Sequence, residues 1–248
     1  MDTNEFAGKT ALVTGGSRGI GAAVAVRLAA GGADVAFTYQ QDEKSAALVT
    51  KQIADLGRRA LAIRADNADP KAAAGAVERT VAELGRLDIV VNNVGAFLVG
   101  PLEDLGEEEF DHAVAVNVRA PYLAARAASR HMQDGGRIIS IGSNIAERAV
   151  FPGFTLYALT KTALAGLTKG LARDLGPRGI TVNLVHPGPT DTAANPADGP
   201  NAEAIRGFTA LGRYAAPSEI AHVVAHLAGP AAGFVTGATV AADGGFAA

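Results

Sequence analysis

The chain has 248 residues with 22 Lys and Arg against 25 Asp and Glu, so its formal net charge is −3 at pH 7. This balance gives no electrostatic footprint for DNA, RNA or an anionic membrane. The absence of Cys excludes disulfides, thiolate catalysis and iron–sulfur clusters. With a polar, acidic N-terminus at residues 1–5 and no apolar run long enough to span a bilayer, the sequence predicts a soluble cytoplasmic protein.

Short β-branched runs alternate along the chain with longer Ala- and Leu-rich segments of helical period. In chain order, the predicted strands are residues 10–14, 34–39, 60–65, 87–92, 137–141, 181–186 and 238–241. The predicted helices are residues 20–30, 43–56, 70–84, 107–132, 157–175 and 218–228. This alternation, without a linker or repeat, predicts one doubly wound α/β domain over residues 1–248, with a seven-stranded parallel sheet and helices on both faces.

The least regular segment of the sequence spans residues 190–212. Long irregular segments are uncommon in compact domains and often act as lids over a site. We therefore predict a mobile substrate lid here, with a plain surface insertion as the alternative.

A glycine-rich turn follows the first predicted strand directly. Gly15, Gly19 and Gly21 have the spacing G-x-x-x-G-x-G and lead into a helix. Glycines permit a tight turn, and free N–H groups at a helix start bind a pyrophosphate. Ser17 can add a hydroxyl and Arg18 a cation. The pattern predicts a Rossmann-type dinucleotide site.

The end of the second predicted strand indicates which dinucleotide is bound. An NAD site usually has an acidic residue there to hold the ribose hydroxyls, whereas this sequence has Tyr39. Arg18 can pair with a 2′-phosphate. We therefore expect NADP(H), with NAD(H) as the alternative if Arg18 is only a solvated loop residue and Asp42 or Glu43 reaches the ribose.

Tyr157 and Lys161 are four residues apart at the start of a predicted helix, which puts the phenol and the ammonium on one face. A free phenol has a pKa near 10, and a nearby cation lowers it toward the range useful for acid/base chemistry. A structural tyrosine beside a lysine is the alternative interpretation of this spacing.

Two further polar residues accompany this pair. Ser143 follows the strand 137–141, at the carboxyl edge where open α/β sheets bind ligands, whereas Ser140 lies inside that strand and is the poorer candidate. Asn117 lies in the middle of a predicted helix shortly before Pro121, where Asn and Pro are both unfavourable. We expect a kink that captures a water, unless Asn117 is simply a tolerated polar residue.

The segments TGGSRGIG, NNVG at 92–95, Asn117, Ser143, YALTK and HPGPTDT, in this order, resemble the short-chain dehydrogenase/reductase family, in its 3-oxoacyl-carrier-protein-reductase-like branch. The resemblance implies an oxidoreductase, a ketoreductase acting on a carbonyl or secondary alcohol, in which Tyr157 is the general acid/base. It further implies that Lys161 lowers the pKa of Tyr157 and holds the nicotinamide ribose, that Ser143 orients the substrate oxygen, and that Asn117 anchors a proton-relaying water.

The same resemblance implies a set of cofactor contacts along the chain. They are Gly15, Ser17, Arg18, Ile20, Gly21, Tyr39, Asp66, Asn67, Asn93, Gly95, Tyr157, Lys161, Pro187, Gly188, Thr190 and Thr192. Val94, Asn67 and His186 depart from the residues more usual in the family. The resemblance also implies a homodimer or homotetramer, in agreement with the nearly all-apolar helix that contains Tyr157.

Other interpretations remain for the chain as a whole. They are an NAD-dependent alcohol dehydrogenase and a non-catalytic nucleotide-sensing module. His222 and His226 are four apart on one helix face, but without a third ligand we expect a surface or interface pair and no metal site. The substrate is expected to be a small molecule of unassigned identity.

Overall fold

The computed structural model describes residues 4–248. The first three residues, which contribute to the predicted acidic N-terminus, lie outside this range. The strands are β1 Thr10–Val13, β2 Asp34–Tyr39, β3 Ala60–Arg64, β4 Ile89–Asn92, β5 Arg137–Ile141, β6 Thr181–Pro187 and β7 Thr239–Ala242. The helices are α1 Gly19–Ala30, α2 Glu43–Asp55, α3 Ala72–Leu84, α4 Glu107–Val114, α5 Ala120–His131, α6 Thr155–Leu175, α7 Ala202–Gly207 and α8 Pro217–Ala228.

The seven strands form one parallel sheet in the order β3-β2-β1-β4-β5-β6-β7. Both faces are covered, as buried parallel sheets require. One face packs an aliphatic core against α1, α2 and α8, and the other packs against α3, α5 and α6. The predicted doubly wound fold is confirmed, and its strand order reverses between β1 and β4, where such sheets bind ligands.

The predicted helix 107–132 is present as one helical stretch over residues 107–131, but it is not α-helical throughout. It consists of α4 and α5, separated by a π-helical turn at Ala115–Arg119 that contains Asn117. Insertion of a wider turn disrupts the regular α-helical hydrogen bonding, and such turns frequently lie at functional sites. The irregularity expected at Asn117 is therefore present, as a π turn ahead of Pro121.

The segment 190–212 is more ordered than its sequence indicates. It contains the short helix α7 and a bridge between Thr190 and Ala215, neither of which the sequence analysis predicts. Six residues are too few to show a helical apolar repeat, and the flanking Pro and Gly residues mask them. The lid function of this segment stays a prediction.

Within residues 4–248, no helix combines the length and the apolar character needed to cross a membrane.

Asp88 ties together the two strands at the point where the sheet order reverses. Its carboxylate, 5% exposed, accepts hydrogen bonds from the Thr10 backbone N–H at 3.0 Å and from the Arg86 guanidinium at 2.6 and 2.7 Å, with Lys9 at 3.3 Å. Burial opposes ionisation of Asp88, but these hydrogen bonds and charges outweigh it and lower its pKa. The ionised form of Asp88 therefore stabilises the fold.

Replacing Asp88 by Asn should lower the free energy of unfolding at pH 7 by about 1–3 kcal/mol, because partners of a buried charged group lose their acceptor. Since the folded pKa is depressed, this stabilisation is present above the unfolded pKa near 4 and is lost as the pH falls through the folded pKa. Urea unfolding from pH 7 to pH 3.5 should show the gap to wild type shrinking below about pH 4. The exposed Asp55→Asn control should change stability by less than about 1 kcal/mol, and an equal loss in both variants would contradict the assignment.

Candidate functional site

One large cleft of about 1160 Å³ lies at the carboxyl edge of the sheet. All the predicted cofactor contacts line it, from the glycine turn at 15–21 to Thr190 and Thr192, together with Ser143, Tyr157 and Lys161. Asn117 does not line the cleft and is buried behind its wall. The structure thus brings the predicted residues to one place, while their individual roles stay predictions.

The glycine turn has a backbone that other residues would not adopt readily. Gly15 and Gly19 have φ of +65° and +56°, in the left-handed region that favours glycine. A Cβ on Gly21 would collide with the Gly15 carbonyl oxygen and the Asn93 side chain. Close approach of the α1 start to the β1 end therefore requires glycine, which explains the unusual spacing of this motif.

The start of α1 is open toward the cleft. Arg18 precedes the helix without any side-chain cap, and the first turn has no acidic residue. Unpaired N–H groups and the positive end of the helix dipole favour an anion at such a position. Between residues 4 and 248, the Arg18 guanidinium finds no hydrogen-bond or ion-pair partner, so it remains available to a ligand.

Asn93 stabilises the glycine turn through hydrogen bonds. Its Nδ2 donates to the Thr14 and Gly15 carbonyl oxygens at 2.9 and 3.2 Å, and its backbone N–H donates to the Thr14 hydroxyl at 2.9 Å. The Thr38 hydroxyl in turn accepts from the Gly15 N–H at 2.9 Å. Asn93 thereby locks the turn between β1, β2 and β4, in addition to lining the cleft.

The end of β2 has no free carboxylate at the place where a ribose would lie. Tyr39 is half-buried there, and Asp42, the next acidic residue along the chain, caps α2 by accepting from the Ser45 N–H at 2.9 Å and the Ser45 hydroxyl at 2.6 Å. These hydrogen bonds lower the pKa of Asp42. Asp42 is therefore committed to its own helix.

Tyr157 and Lys161 lie one turn apart on α6. The Lys161 side chain is buried, and its Nζ donates to the Ile141 carbonyl oxygen at 3.1 Å and lies 5.8 Å from the centre of the Tyr157 ring. Burial lowers the pKa of Lys161 to about 8. The ammonium is thus held beneath the tyrosine, at the end of β5.

The pKa of Tyr157 differs from the sequence expectation. Burial raises it, and hydrogen bonding with Ser143 acts in the opposite direction without cancelling that effect. The expected lowering by Lys161 is not found, because the ammonium faces the Ile141 carbonyl oxygen beneath the ring. The phenol is therefore held in its protonated form at neutral pH.

Ser143 and Ser140 differ in the way the sequence analysis predicts. Ser143 caps a short 3-10 turn at Asn144–Ala146, accepting from the Ile145 N–H at 3.2 Å, and it lines the cleft. Ser140 is buried within the sheet, 3.5 Å from the Asn92 amide nitrogen. Of the two hydroxyls, only that of Ser143 belongs to the cleft.

Asn117 joins the loop after β4 to α6. Its Oδ1 accepts from the Ala96 N–H at 2.7 Å, and its Nδ2 donates to the Ala96 carbonyl at 3.0 Å and to the Thr160 hydroxyl at 2.9 Å. These contacts fix the backbone above Lys161, where a Cβ on Gly95 would lie 2.9 Å from the Lys161 Nζ. The side chain of Asn117 is thus fully used in positioning the cleft wall.

His186 is a buried feature that the sequence singled out without a role. Its ring is 1% exposed, neither ring nitrogen has a hydrogen-bond partner among residues 4–248, and Nδ1 lies 3.5 Å from Glu147 Oε1. Burial lowers its pKa. The ring packs under Gly142 and supports the floor of the cleft beside Ser143.

The two histidines on α8 can be assessed as metal ligands from their surroundings. His222 and His226 are exposed on α8, and within residues 4–248 no group of three or more His, Cys, Asp or Glu side chains is placed to hold a metal ion.

Sequence analysis missed two aromatic residues near the cleft. Phe208 follows α7 and Phe246 lies close to the end of the chain, yet their rings are 5.7 Å apart. Phe208 also lies 5.2 Å from Phe151. Distance along the sequence hides this association, and no motif signals it.

The requirement for glycine at position 21 can be tested directly. Gly21→Ala should destabilise the protein by about 1–3 kcal/mol through overpacking and weaken NADPH binding at least about tenfold, by displacing the N–H groups of α1. Gly75→Ala is the control, because its Cβ would meet no atom within 4 Å in the interior of α3, and it should stabilise by about 0.5–1 kcal/mol. Urea unfolding and fluorescence titration measure both effects; wild-type behaviour of Gly21→Ala would refute the steric argument.

Comparison with known proteins places this geometry in a family. A family model described as enoyl-(acyl carrier protein) reductase matches residues 15–247. The chain is 44% identical over 243 residues to the cyclic-di-GMP-binding biofilm dispersal mediator protein of Escherichia coli, covering 98% of this chain and 99% of that protein.

Solved structures agree with this result. A dehydrogenase/reductase from Sinorhizobium meliloti is 58% identical with a TM-score of 0.97, covering 100% of this chain and 99% of that one. A short-chain dehydrogenase from Burkholderia cenocepacia in complex with NADP is 53% identical with a TM-score of 0.97, covering 99% and 100%. Because the family model matches most of the chain and these relatives match it over nearly their whole length in sequence and in fold, the chain belongs to the short-chain dehydrogenase/reductase family.

Proposed function

We propose that this oxidoreductase is a ketoreductase that uses NADPH to reduce a carbonyl group to a secondary alcohol. The observation that supports this most directly is the shared cleft: Tyr157, buried Lys161 and the Ser143 hydroxyl lie in the same cavity as an open glycine turn. A nucleotide site alone needs no phenol paired with an ammonium and a hydroxyl.

The residues present fit a dinucleotide. The uncapped start of α1 offers N–H groups to a pyrophosphate, and the positive φ of Gly15 and Gly19 keeps the backbone close to it. Arg18 and Tyr157 line the same cleft of about 1160 Å³, so a dinucleotide bound at the glycine turn would share its cavity with the phenol. When bound, the nicotinamide supplies the hydride.

The choice of NADP(H) over NAD(H) is supported by charge. Arg18 is free to pair with a 2′-phosphate, Tyr39 introduces no repulsion, and Asp42 is engaged at the start of α2. The related Burkholderia protein was solved with NADP. We therefore infer the same preference for this chain.

In the reductive direction, the carbonyl carbon accepts the hydride with its electron pair, and the carbonyl oxygen accepts the phenolic proton of Tyr157. The products are a secondary alcohol and the oxidised cofactor, and the phenolate then recovers a proton from solvent. The raised pKa of Tyr157 suits this direction, because the phenol stays protonated until a partner takes its proton. We assign the polarisation of the same oxygen to the Ser143 hydroxyl, because Ser143 lines the cleft together with Tyr157.

Lys161 and Asn117 are the two remaining residues of the proposed catalytic set. The buried Lys161 ammonium, held on the Ile141 carbonyl oxygen, would bind the nicotinamide ribose, as the family resemblance implies. Asn117 positions the backbone that covers Lys161. A water held at the π turn, as the family resemblance implies, would connect the lysine to solvent.

Three alternative functions can be compared with this proposal. The family model is described by enoyl reduction, but relatives that reduce enoyl thioesters usually space the tyrosine and lysine more widely than the four residues found here. The relative from Escherichia coli is named for binding cyclic-di-GMP, which corresponds to the nucleotide-sensing alternative. NADPH consumption with ketones separates catalysis from sensing, and a preference for NADH in titrations would favour an NAD-dependent alcohol dehydrogenase.

We further propose that the chain forms a homodimer or homotetramer in the cytoplasm. Along the outer face of α6, Leu159, Ala163, Gly166 and Gly170 form an exposed stripe of apolar and small residues, which Thr162 and Lys169 flank. Such a stripe is typical of helices that pack against a second subunit.

Tyr157→Phe tests the catalytic assignment. The variant should keep NADPH affinity within about twofold and lose at least about a hundredfold in kcat with any ketone that the wild type reduces, because general acid catalysis contributes 10²–10⁴ in rate. Absorbance of NADPH at steady state gives the rates. Tyr122→Phe, on an exposed part of α5, is the matched control and should behave as wild type. Undiminished turnover in Tyr157→Phe would eliminate the mechanism.

A further inference from the structure

A continuous aromatic wall lines the side of the cleft beyond Tyr157. Four of the nine phenylalanines in the chain line the cleft, Phe97, Phe151, Phe154 and Phe246, and a fifth, Phe208, packs against two of them and completes the wall. Successive rings lie 5.9, 6.0, 5.2 and 5.7 Å apart in the order Phe97, Phe154, Phe151, Phe208, Phe246. Aromatic residues are 5% of the sequence, so this concentration is a specific property of the cleft.

The wall reaches the reacting hydroxyl through Phe97. The Phe97 ring lies 4.9 Å from the Tyr157 ring at an interplanar angle of 77°, and Phe154 lies 6.4 Å from Tyr157 at 78°. Phe97 is nevertheless 54% exposed, whereas Phe246 is almost completely buried. An uncovered ring surface beside the phenol is where a second aromatic ring gains most, through edge-to-face or offset contact.

The charges around the cleft exclude another class of ligand. Among the described residues that line it, the basic side chains are Arg18 at the glycine turn, Lys161 bound to the Ile141 carbonyl, and exposed His112 on α4. Nearby Arg148 donates to the Phe246 carbonyl at 2.9 Å, and Arg206 pairs with Glu203 at 3.0 Å. Among the described residues that line the cleft, Arg18 and Lys161 are the only Arg and Lys side chains, and neither belongs to the aromatic wall, so burying a carboxylate or phosphate against Phe97 and Phe154 is costly.

We infer that the substrates of this chain are uncharged aryl ketones and the corresponding aryl carbinols, whose aromatic ring rests on Phe97 and Phe154 while the carbonyl oxygen meets Tyr157 and Ser143. This inference rests on the proposed ketoreductase function and specifies its substrate class. Phe97 is the specificity-determining residue, and Phe208 holds Phe151 and Phe246 in place from the segment 190–212.

The test compares acetophenone with cyclohexyl methyl ketone, which differ in whether the ring is aromatic. The ratio of their kcat/KM values with NADPH should fall about three- to tenfold in Phe97→Leu, the range expected for one aromatic pair. Comparing this ratio between the variant and the wild type removes the difference in intrinsic reactivity between the two ketones. Phe234→Leu is the control, because Phe234 is fully exposed and outside the cleft, and its ratio should equal that of wild type. A ratio in Phe97→Leu within about 1.5-fold of wild type would overturn the assignment of Phe97.

A second comparison tests the charge argument. Ethyl benzoylformate and benzoylformate share the aryl ketone and differ in a carboxylate. The neutral ester should have a kcat/KM at least about tenfold higher, because the wall offers no cation to the anion. Equal or preferred use of the anion would overturn the restriction to uncharged substrates.

A binding measurement separates this inference from the proposed function. The NADPH complex of Tyr157→Phe is titrated with acetophenone and with cyclohexyl methyl ketone, and bound cofactor fluorescence reports occupancy. Tighter binding of acetophenone supports the aryl site, even if wild type turns over no ketone and the reductase proposal fails. Turnover of aliphatic ketones with no preference for aryl ketones in binding or rate supports the reductase and refutes the aryl site.

Discussion

The buried ammonium of Lys161 is the constraint from which the architecture of the site follows. A charge removed from water needs compensation, and here the Ile141 carbonyl oxygen provides it at the end of β5. A Cβ at position 95 would lie 2.9 Å from the Lys161 Nζ, so glycine at this position leaves the ammonium its place. Asn117, in a π turn, fixes the neighbouring Ala96 backbone and the α6 residue Thr160 around the same charge.

The parallel sheet brings this centre and the nucleotide site to one edge. Because all seven strands run in the same direction, the turns after β1, β4, β5 and β6 meet at their carboxyl ends. Asn93 ties the turn after β1 to the end of β4, and Asp88 ties the opposite ends of these two strands. The crevice between them is therefore held from both ends. The glycine turn and the cluster of Ser143, Tyr157 and Lys161 are more than a hundred residues apart in sequence, yet they line one cleft.

Much of this arrangement follows from sequence because local patterns determine it. Strands β2 and β5 have the predicted bounds, since β-branched runs bounded by turn residues define them clearly. The predicted cofactor contacts line the cleft because spacing along a doubly wound fold fixes which loops meet. The π turn at Asn117 and the helix α7 depend on tertiary contacts, so no local periodicity in the sequence indicates them.

The pKa of Tyr157 likewise cannot be predicted from the local sequence. From spacing alone, Lys161 is a nearby cation that should lower the pKa of the phenol, whereas the folded protein turns the ammonium to the Ile141 carbonyl and buries the ring, which raises that pKa. Likewise, Phe208 and Phe246 join the wall only because the segment 190–212 and the C-terminal residues fold back to the same rim. Long-range packing of this kind has no signature in a single sequence.

The central claim is that the cleft contains a buried, charged lysine, Lys161. An NMR titration of the protein labelled with ¹³C at lysine Cε tests this claim most directly. The resonance that disappears in Lys161→Arg identifies this side chain. Our account predicts that it titrates near pH 8, because burial lowers its pKa from 10.5 to about 8. A midpoint above pH 10, as for a solvated lysine, would contradict it.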